Sequence, residues 1–228
     1  MLAVAGVWCV VVAGGSGSRF GAAKQFLMLG DSRVLDHSIE AAKTVCDGVV
    51  VVLPMAALDG GGDITEECGP GMADLVVPGG STRAASAQAG IEVVPESAEV
   101  ILVHDAARPL ASRDLFEQVA SAVRGGASVV VPVVPVPDTI RNAVGEVVDR
   151  EELRAVQTPQ GFSAAVLRRA HSDEAGSQED RSLATDDAAL AQELGESVVM
   201  IPGETGNLKI TQPTDLLVAE ALLTAGAD

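Results

Sequence analysis

Residues 9–26 read CVVVAGGSGSRFGAAKQF: an apolar run, a glycine–serine loop, and two cations, Arg19 and Lys24. A β-branched run that stops at a glycine is the pattern of a strand covered on both faces in a parallel sheet. A glycine-rich exit lets backbone N–H groups approach an anion closely. Arg19 can grip phosphate oxygens with two donors, and Lys24 supplies a point charge. The stretch therefore predicts an α/β fold with an anion-binding loop leaving its first strand, the edge where open α/β sheets bind ligands.

Two familiar phosphate loops do not fit. The dinucleotide fingerprint GxGxxG, started at Gly15, runs through Gly17 and then meets Phe20 where the third glycine belongs. It also requires an acidic residue after the second strand, where Leu53 and Pro54 stand. The Walker pattern GxxxxGK[ST] fails because Ala23 precedes Lys24 and Gln25 follows it. These mismatches exclude an NAD-linked oxidoreductase and a P-loop NTPase.

Outward from that loop, the chain alternates. Strands are expected at Val7–Val12, Gly48–Leu53, Asp74–Val77, Glu99–Val103, Ala127–Val131 and Ser197–Ile201. Helices are expected at Val34–Val45, Arg83–Val94, Arg113–Val123 with Ser112 as N-cap, Ala164–His171, Asp187–Leu194 and Pro213–Leu223. Met55–Met72 is glycine-rich and reads as loop. The rhythm predicts an α/β, doubly wound, mostly parallel Rossmann-like sheet in a single domain over residues 1–228. Thr139–Val148 breaks it as a β-hairpin. A two-stranded arm is marginal alone in water, so residues 136–153 are expected to pack on a partner subunit.

Composition narrows the function. Lys and Arg total 15 against 32 Asp and Glu, a net charge of −17, which argues against nucleic acid and anionic membranes as partners. It also makes each cluster of cations informative. Aromatics are only 2% of residues, so the core has to be built from Val, Ala and Leu. The widely spaced Cys9, Cys46 and Cys68 have no metal-knuckle or CxxC spacing and read as free thiols in a reducing cytoplasm.

Two further clusters lie on strand exits. PGGSTRAASA (Pro78–Ala87) offers Gly80 for close backbone approach and Ser81, Arg83 and Ser86 as polar groups near a helix start. VHDAARP (Val103–Pro109) ends a central apolar strand with Asp105 and Arg108, charges placed where substrates sit. His104 reads as a core histidine, the Thr185-Asp186-Asp187 run as an N-cap with an acidic first turn, and Asp173–Asp180 as a solvated loop.

Taken in order, AGGSGSRFGAAKQF, GGSTRAAS, VHDAARP, VPDTI, AVQTPQGF, ATDDA and NLKIT make the chain similar, nearly end to end, to the 2-C-methyl-D-erythritol 4-phosphate cytidylyltransferase family. The resemblance implies a nucleotidyltransferase-type fold that moves CMP from CTP onto a sugar-alcohol phosphate in the non-mevalonate isoprenoid pathway, with release of pyrophosphate. It implies Mg²⁺ held mainly by the CTP phosphates, and a homodimer sharing sites through the hairpin arm. Arg19 and Lys24 match the family's catalytic cations, while Ala13, Gly14, Gly15, Ser16 and Gly17 match the triphosphate loop. Gly80, Ser81 and Ser86 fall where cytosine is read, with Arg83 supporting the turn, and Asp105 and Ala106 fall at the ribose. Arg108, Thr139, Arg150, Thr185 and Lys209 match substrate-holding positions, Thr139 and Arg150 from the partner's arm. Two positions depart from the pattern: Ala23 replaces a proline, and Ser81 stands where an acidic residue is common. The alternatives are a cytidylyltransferase for another phosphate, such as ribitol 5-phosphate, and a non-catalytic nucleotide-binding module.

Overall fold

The structure, a computed structural model, describes residues 6–14, 23–55, 72–172 and 186–226. Strand β1 (Gly6–Val12) lies inside a large sheet, paired in parallel with β4 (Gly48–Leu53) on one side and β6 (Ala98–Asp105) on the other. Beyond β4 comes β5 (Leu75–Pro78), again parallel. The alternation within β1 explains its central place. Val7, Cys9 and Val11 enter the core under helices α1 (Val34–Lys43) and α3 (Arg113–Arg124), while Val10 joins the core on the opposite face. A strand wetted on neither face has no use for polar residues, which is why the run reads as continuously apolar. Helix α2 (Arg83–Val93) covers that opposite face together with α4 (Ala164–Ala170) and α5 (Asp187–Glu193).

The far half of the sheet departs from the simple rhythm. Strand β7 spans Val129–Pro135 rather than ending at Val131, so the proline-spaced PVVPVP continues the strand. Pro132 is accommodated because its carbonyl, not a missing N–H, makes the bond, accepting from Gln157 N at 2.9 Å. Between β6 and β7 lies an antiparallel strand, β11 (Gln160–Ser163), which the short GF pattern in TPQGF did not announce. It is preceded by β10 (Arg154–Val156) along the same edge of β7. The register slips between them: Val156 faces Val133, whereas Gly161 faces Val130. The chain bulges at Gln157–Pro159, and the Gln157 and Thr158 side chains are buried there. Strand β12 (Val198–Pro202) closes this end of the sheet in parallel with β7.

Smaller pieces complete the frame. Strands β2 (Met28–Leu29) and β3 (Ser32–Arg33) form a two-stranded ribbon leading into α1. The hairpin is real but short, with β8 (Ile140–Arg141) pairing β9 (Val147–Val148) around Gly145 at φ +90°. Helix α6 (Pro213–Ala225) docks through Ala219 onto Leu29, Val34 and Ile210. Ser112 caps α3 as expected, accepting from Leu115 N at 3.1 Å. Cys9 is a buried free thiol pushed up in pKa by burial and by Cys46 beside it; Cys68 lies outside the described residues. Among the described residues no helix is long and apolar enough to cross a membrane.

Two consequences can be measured. A Cβ on Gly161 would come within 2.4 Å of Val119 Cγ1 and 3.0 Å of Val123 Cγ2, so α3 packs on β11 only because that residue is glycine. Gly161→Ala should destabilise the fold by about 1–3 kcal/mol in urea unfolding, the cost of overpacking a close-fitted core. His104 is fully buried against Phe116, its ring held between Thr158 Oγ1 and the Arg108 carbonyl. Burial lowers its pKa from 6.5 to about 4, outweighing the opposing pull of Asp105. As pH falls below about 6.5 the unfolded chain binds a proton that the folded one refuses, so stability should decline from there until about 4. The decline is about 3 kcal/mol from this residue alone. A urea midpoint that falls over that window in the wild type, and falls less in His104→Asn, is the expected result.

Candidate active site

The carboxyl ends of β1, β4, β5 and β6 meet at one edge. Ala13 N donates to Val52 O at 2.8 Å, Gly79 N to Leu53 O at 2.7 Å, and Ala106 N to Val12 O at 3.1 Å. This stitching brings the three motif loops side by side. Gly14 and Gly79 flank Ser86 closely: a Cβ on either would lie 2.8 or 2.9 Å from Ser86 Oγ. Ser86 is buried and donates to Thr82 O at 2.9 Å, so it serves as a strut between the two glycine turns rather than an exposed reader. Gly80 and Ser81 are exposed in front of it, and Thr82, not Ser81, caps α2. Gly15, Ser16, Gly17, Arg19 and Thr185 lie outside the described residues.

Asp105 is the centre of charge. Its Oδ1 accepts from Arg83 Nε at 3.2 Å and its Oδ2 from Lys209 Nζ at 2.6 Å. Its backbone N–H donates to Thr158 Oγ1 at 3.0 Å. Burial opposes the charge, but Arg83 and Lys209 outweigh it and hold the carboxyl well below the usual carboxylate range. Arg83 reaches on with Nη1 to Asp187 Oδ2 at 2.8 Å. Asp187 is fully buried at the start of α5, and its other oxygen meets His171 Nε2 at 3.1 Å. Burial again works against its charge, and Arg83 and then His171 hold its pKa low. The neighbouring Asp186 is the N-cap, accepting from Ala189 N at 2.9 Å and from Gln160 Nε2 at 2.8 Å.

Lys24 Nζ donates to the carbonyl of Ile210 at 2.5 Å, next in the chain to Lys209. The strap carrying Lys209 and Ile210 is fixed at both ends. Ile210 N donates to Ala107 O at 2.8 Å, and Asp215 Oδ2 collects Thr211 N, Thr211 Oγ1 and Gln212 N within 2.8 Å. Arg108, expected to face substrate, instead spends both terminal nitrogens on carbonyls, Nη1 on Asn207 at 2.8 Å and Nη2 on Val156 at 3.0 Å. Burial lowers its pKa and Asp105 partly restores it. Ala106 is buried beneath Asp105. Thr139 and Arg150 are exposed on the arm segment, and neither bonds to the Asp105 cluster among the described residues; Arg150 folds back to the Pro137 carbonyl and Glu151.

Several residues that hold this site together were not singled out in the sequence. Gln157 Nε2 donates to Glu204 O at 2.7 Å while its Oε1 accepts from Glu204 N at 3.0 Å, and Asn207 Nδ2 donates to Thr158 O at 2.9 Å. Gln160 spans Asp186 and Ala188 N. Their signal was present in AVQTPQGF, a run of neutral amides and hydroxyls around a proline. Such groups satisfy one another in a core without bringing a charge into it.

What the arrangement offers is a set of cations and hydrogen-bond donors converging on one sheet edge. That is the equipment of a site that positions an anionic substrate and stabilises charge. The family model for IspD, 2-C-methyl-D-erythritol 4-phosphate cytidylyltransferase, matches residues 7–225. The chain is 42% identical to the 2-C-methyl-D-erythritol 4-phosphate cytidylyltransferase of Rhodococcus opacus, over 97% of its own length and 96% of the relative's. To the enzyme so named from Streptomyces coelicolor it is also 42% identical, covering 94% of this chain and 83% of that one. Among solved structures, the enzyme of the same name from Thermus thermophilus superposes with a TM-score of 0.78 at 36% identity, over 94% of this chain and 98% of that one. With agreement over nearly the whole length and the family's motif loops gathered at one sheet edge, the chain belongs to the 2-C-methyl-D-erythritol 4-phosphate cytidylyltransferase family.

Proposed function

We propose that this protein transfers CMP from CTP to 2-C-methyl-D-erythritol 4-phosphate, giving 4-diphosphocytidyl-2-C-methyl-D-erythritol and pyrophosphate in the non-mevalonate isoprenoid pathway. The observation that carries the reading is the meeting of Arg83 and Lys209 on Asp105, with the Arg108 charge beside it and Lys24 held on the carbonyl of Ile210, next in the chain to Lys209, from segments far apart in a chain of net charge −17. A phosphate oxygen of the sugar phosphate attacks the α-phosphorus of CTP. The new P–O bond forms as the bond to the bridging oxygen of the β-phosphate breaks, and pyrophosphate carries that electron pair away. Charge grows on the oxygens around the α-phosphorus, so cations held there in advance lower the barrier.

In this reading the loop Ala13–Gly17 cradles the triphosphate, and Arg19 and Lys24 act on the α-phosphate. Gly80 and Ser81 approach the base with Ser86 and Arg83 behind them, and Asp105, an acceptor on a fixed frame, takes a ribose hydroxyl. Lys209 and Thr185 hold the sugar phosphate, with Arg108 fixing the strap that carries Lys209. Thr139 and Arg150 act from the partner's arm in a cytoplasmic homodimer. Mg²⁺ fits this donor set as an ion held by the CTP phosphates: both oxygens of Asp105 are already engaged by cations, and the described residues hold no group of three or more metal-ligating side chains. When bound with the nucleotide it neutralises part of the phosphate charge.

Pyrophosphate release with CTP and Mg²⁺, offering 2-C-methyl-D-erythritol 4-phosphate beside ribitol 5-phosphate, tests the reading. A clear preference for the methylated acceptor is expected. Preference for ribitol phosphate moves the protein to another substrate, and CTP binding with no release from either leaves a binding module. Lys24→Ala should lower kcat by roughly 10²–10³ while CTP still binds, as for loss of one transition-state donor; unchanged turnover removes Lys24 from the chemistry. Arg150→Ala should raise KM for the sugar phosphate, and mixing it with Lys24→Ala chains should recover activity through hybrid dimers. Absence of recovery where subunits exchange would rule out a shared site.

A further inference from the structure

The first turn of α5 carries two adjacent carboxylates with different tasks. Asp186 does the local work, capping the helix by accepting Ala189 N and taking a second bond from Gln160. Asp187 is not needed for the cap. It turns away from solvent, is fully buried, and reaches across to α2, where it accepts from Arg83 Nη1 at 2.8 Å. His171, at the end of α4, backs it with Nε2 at 3.1 Å from the other oxygen. A carboxylate only accepts, so Nε2 of His171 carries the proton in this contact. The chain His171–Asp187–Arg83–Asp105–Lys209 thus runs from the inner helices to the sheet edge through consecutive contacts.

A buried ion pair of this kind is a poor source of stability, because desolvation offsets most of the attraction, and an apolar pair of the same size would serve as well. It does fix direction. The guanidinium is planar, so holding Nη1 on Asp187 sets where Nε points, and Nε points at Asp105 Oδ1. Asp187 also divides the charge of Arg83 between two carboxylates, which leaves Oδ2 of Asp105 to Lys209.

We infer that Asp187 is a positioning residue of the nucleotidyl-transfer site, acting through Arg83 to orient Asp105 and Lys209, with His171 as its support. The inference rests on the function proposed above. Asp187→Asn keeps the shape but removes the negative charge and one of the two acceptors, so it cannot take both Arg83 Nη1 and His171 Nε2 and Arg83 loses its ionic anchor. Its kcat/KM for CTP should fall on the order of 10²-fold, the scale set by a misplaced group remote from the reacting atoms. The effect should be non-additive: Asp187→Asn combined with Arg83→Lys should be no slower than Arg83→Lys alone, because both break one link. Urea midpoints measured alongside separate the two roles. Lowered stability with wild-type kinetics, or fully additive losses, overturns the inference. If Asp187→Asn does not fold, Arg83→Lys decides by itself, since an ammonium cannot bridge two carboxylates as a guanidinium does; wild-type kinetics in that variant overturn the role, and a comparable loss supports it. Wild-type protein that turns over while Asp187→Asn matches it sinks the positioning role alone. Wild-type protein that neither turns over nor binds CTP sinks the proposed function beneath it.

Discussion

Asp105 is charged and nearly buried, and the active edge is organised by the need to keep it so. A carboxylate withdrawn from water either takes up a proton or is surrounded by donors and cations. Here Arg83 comes from the start of α2 and Lys209 from the strap before α6 to the two carboxylate oxygens, while Thr158, from the bulge before β11, holds the residue's backbone by accepting its N–H. Each arrives from a different segment, so fixing this one residue, side chain and backbone together, draws four pieces of chain into register. The same cations would meet an anionic nucleotide, and the structural and functional demands on them coincide.

The antiparallel β11 is the second constraint. By entering between β6 and β7 it carries Gln157, Thr158 and Gln160 to the ends of three other elements. The bulge at Gln157–Pro159 allows this, because a regular strand there would turn alternate side chains away from the site. Arg108 belongs to the same assembly: through Val156 and Asn207 it joins the segment following the hairpin arm to the strap bearing Lys209.

Much of the fold could be read along the chain. The Val-rich runs, Ser112 as a cap and Pro213 in a first turn are local signals, and the structure matches them to within a few residues. Strand β11 escaped because it is only four residues long, with Gly161 and Phe162 between two polar ends, so it lacks both alternation and a long apolar run. Asp187 and His171 escaped for a related reason. Periodicity treats a charged residue in a first turn as solvent-facing, and only the arrival of Arg83 from a distant helix makes burial tolerable.

By itself, then, the amino-acid sequence determined the strand-and-helix order, the glycine loops at strand exits and the family to which they point, since these depend on neighbours a few residues apart. Tertiary structure alone decided which cation meets which carboxylate: that Lys209 closes on Asp105, that Lys24 rests on the Ile210 carbonyl, and that Arg83 is shared with Asp187. Those partners are brought together by the order of strands in the sheet, and local pattern carries no information about contacts between segments so widely separated in the chain.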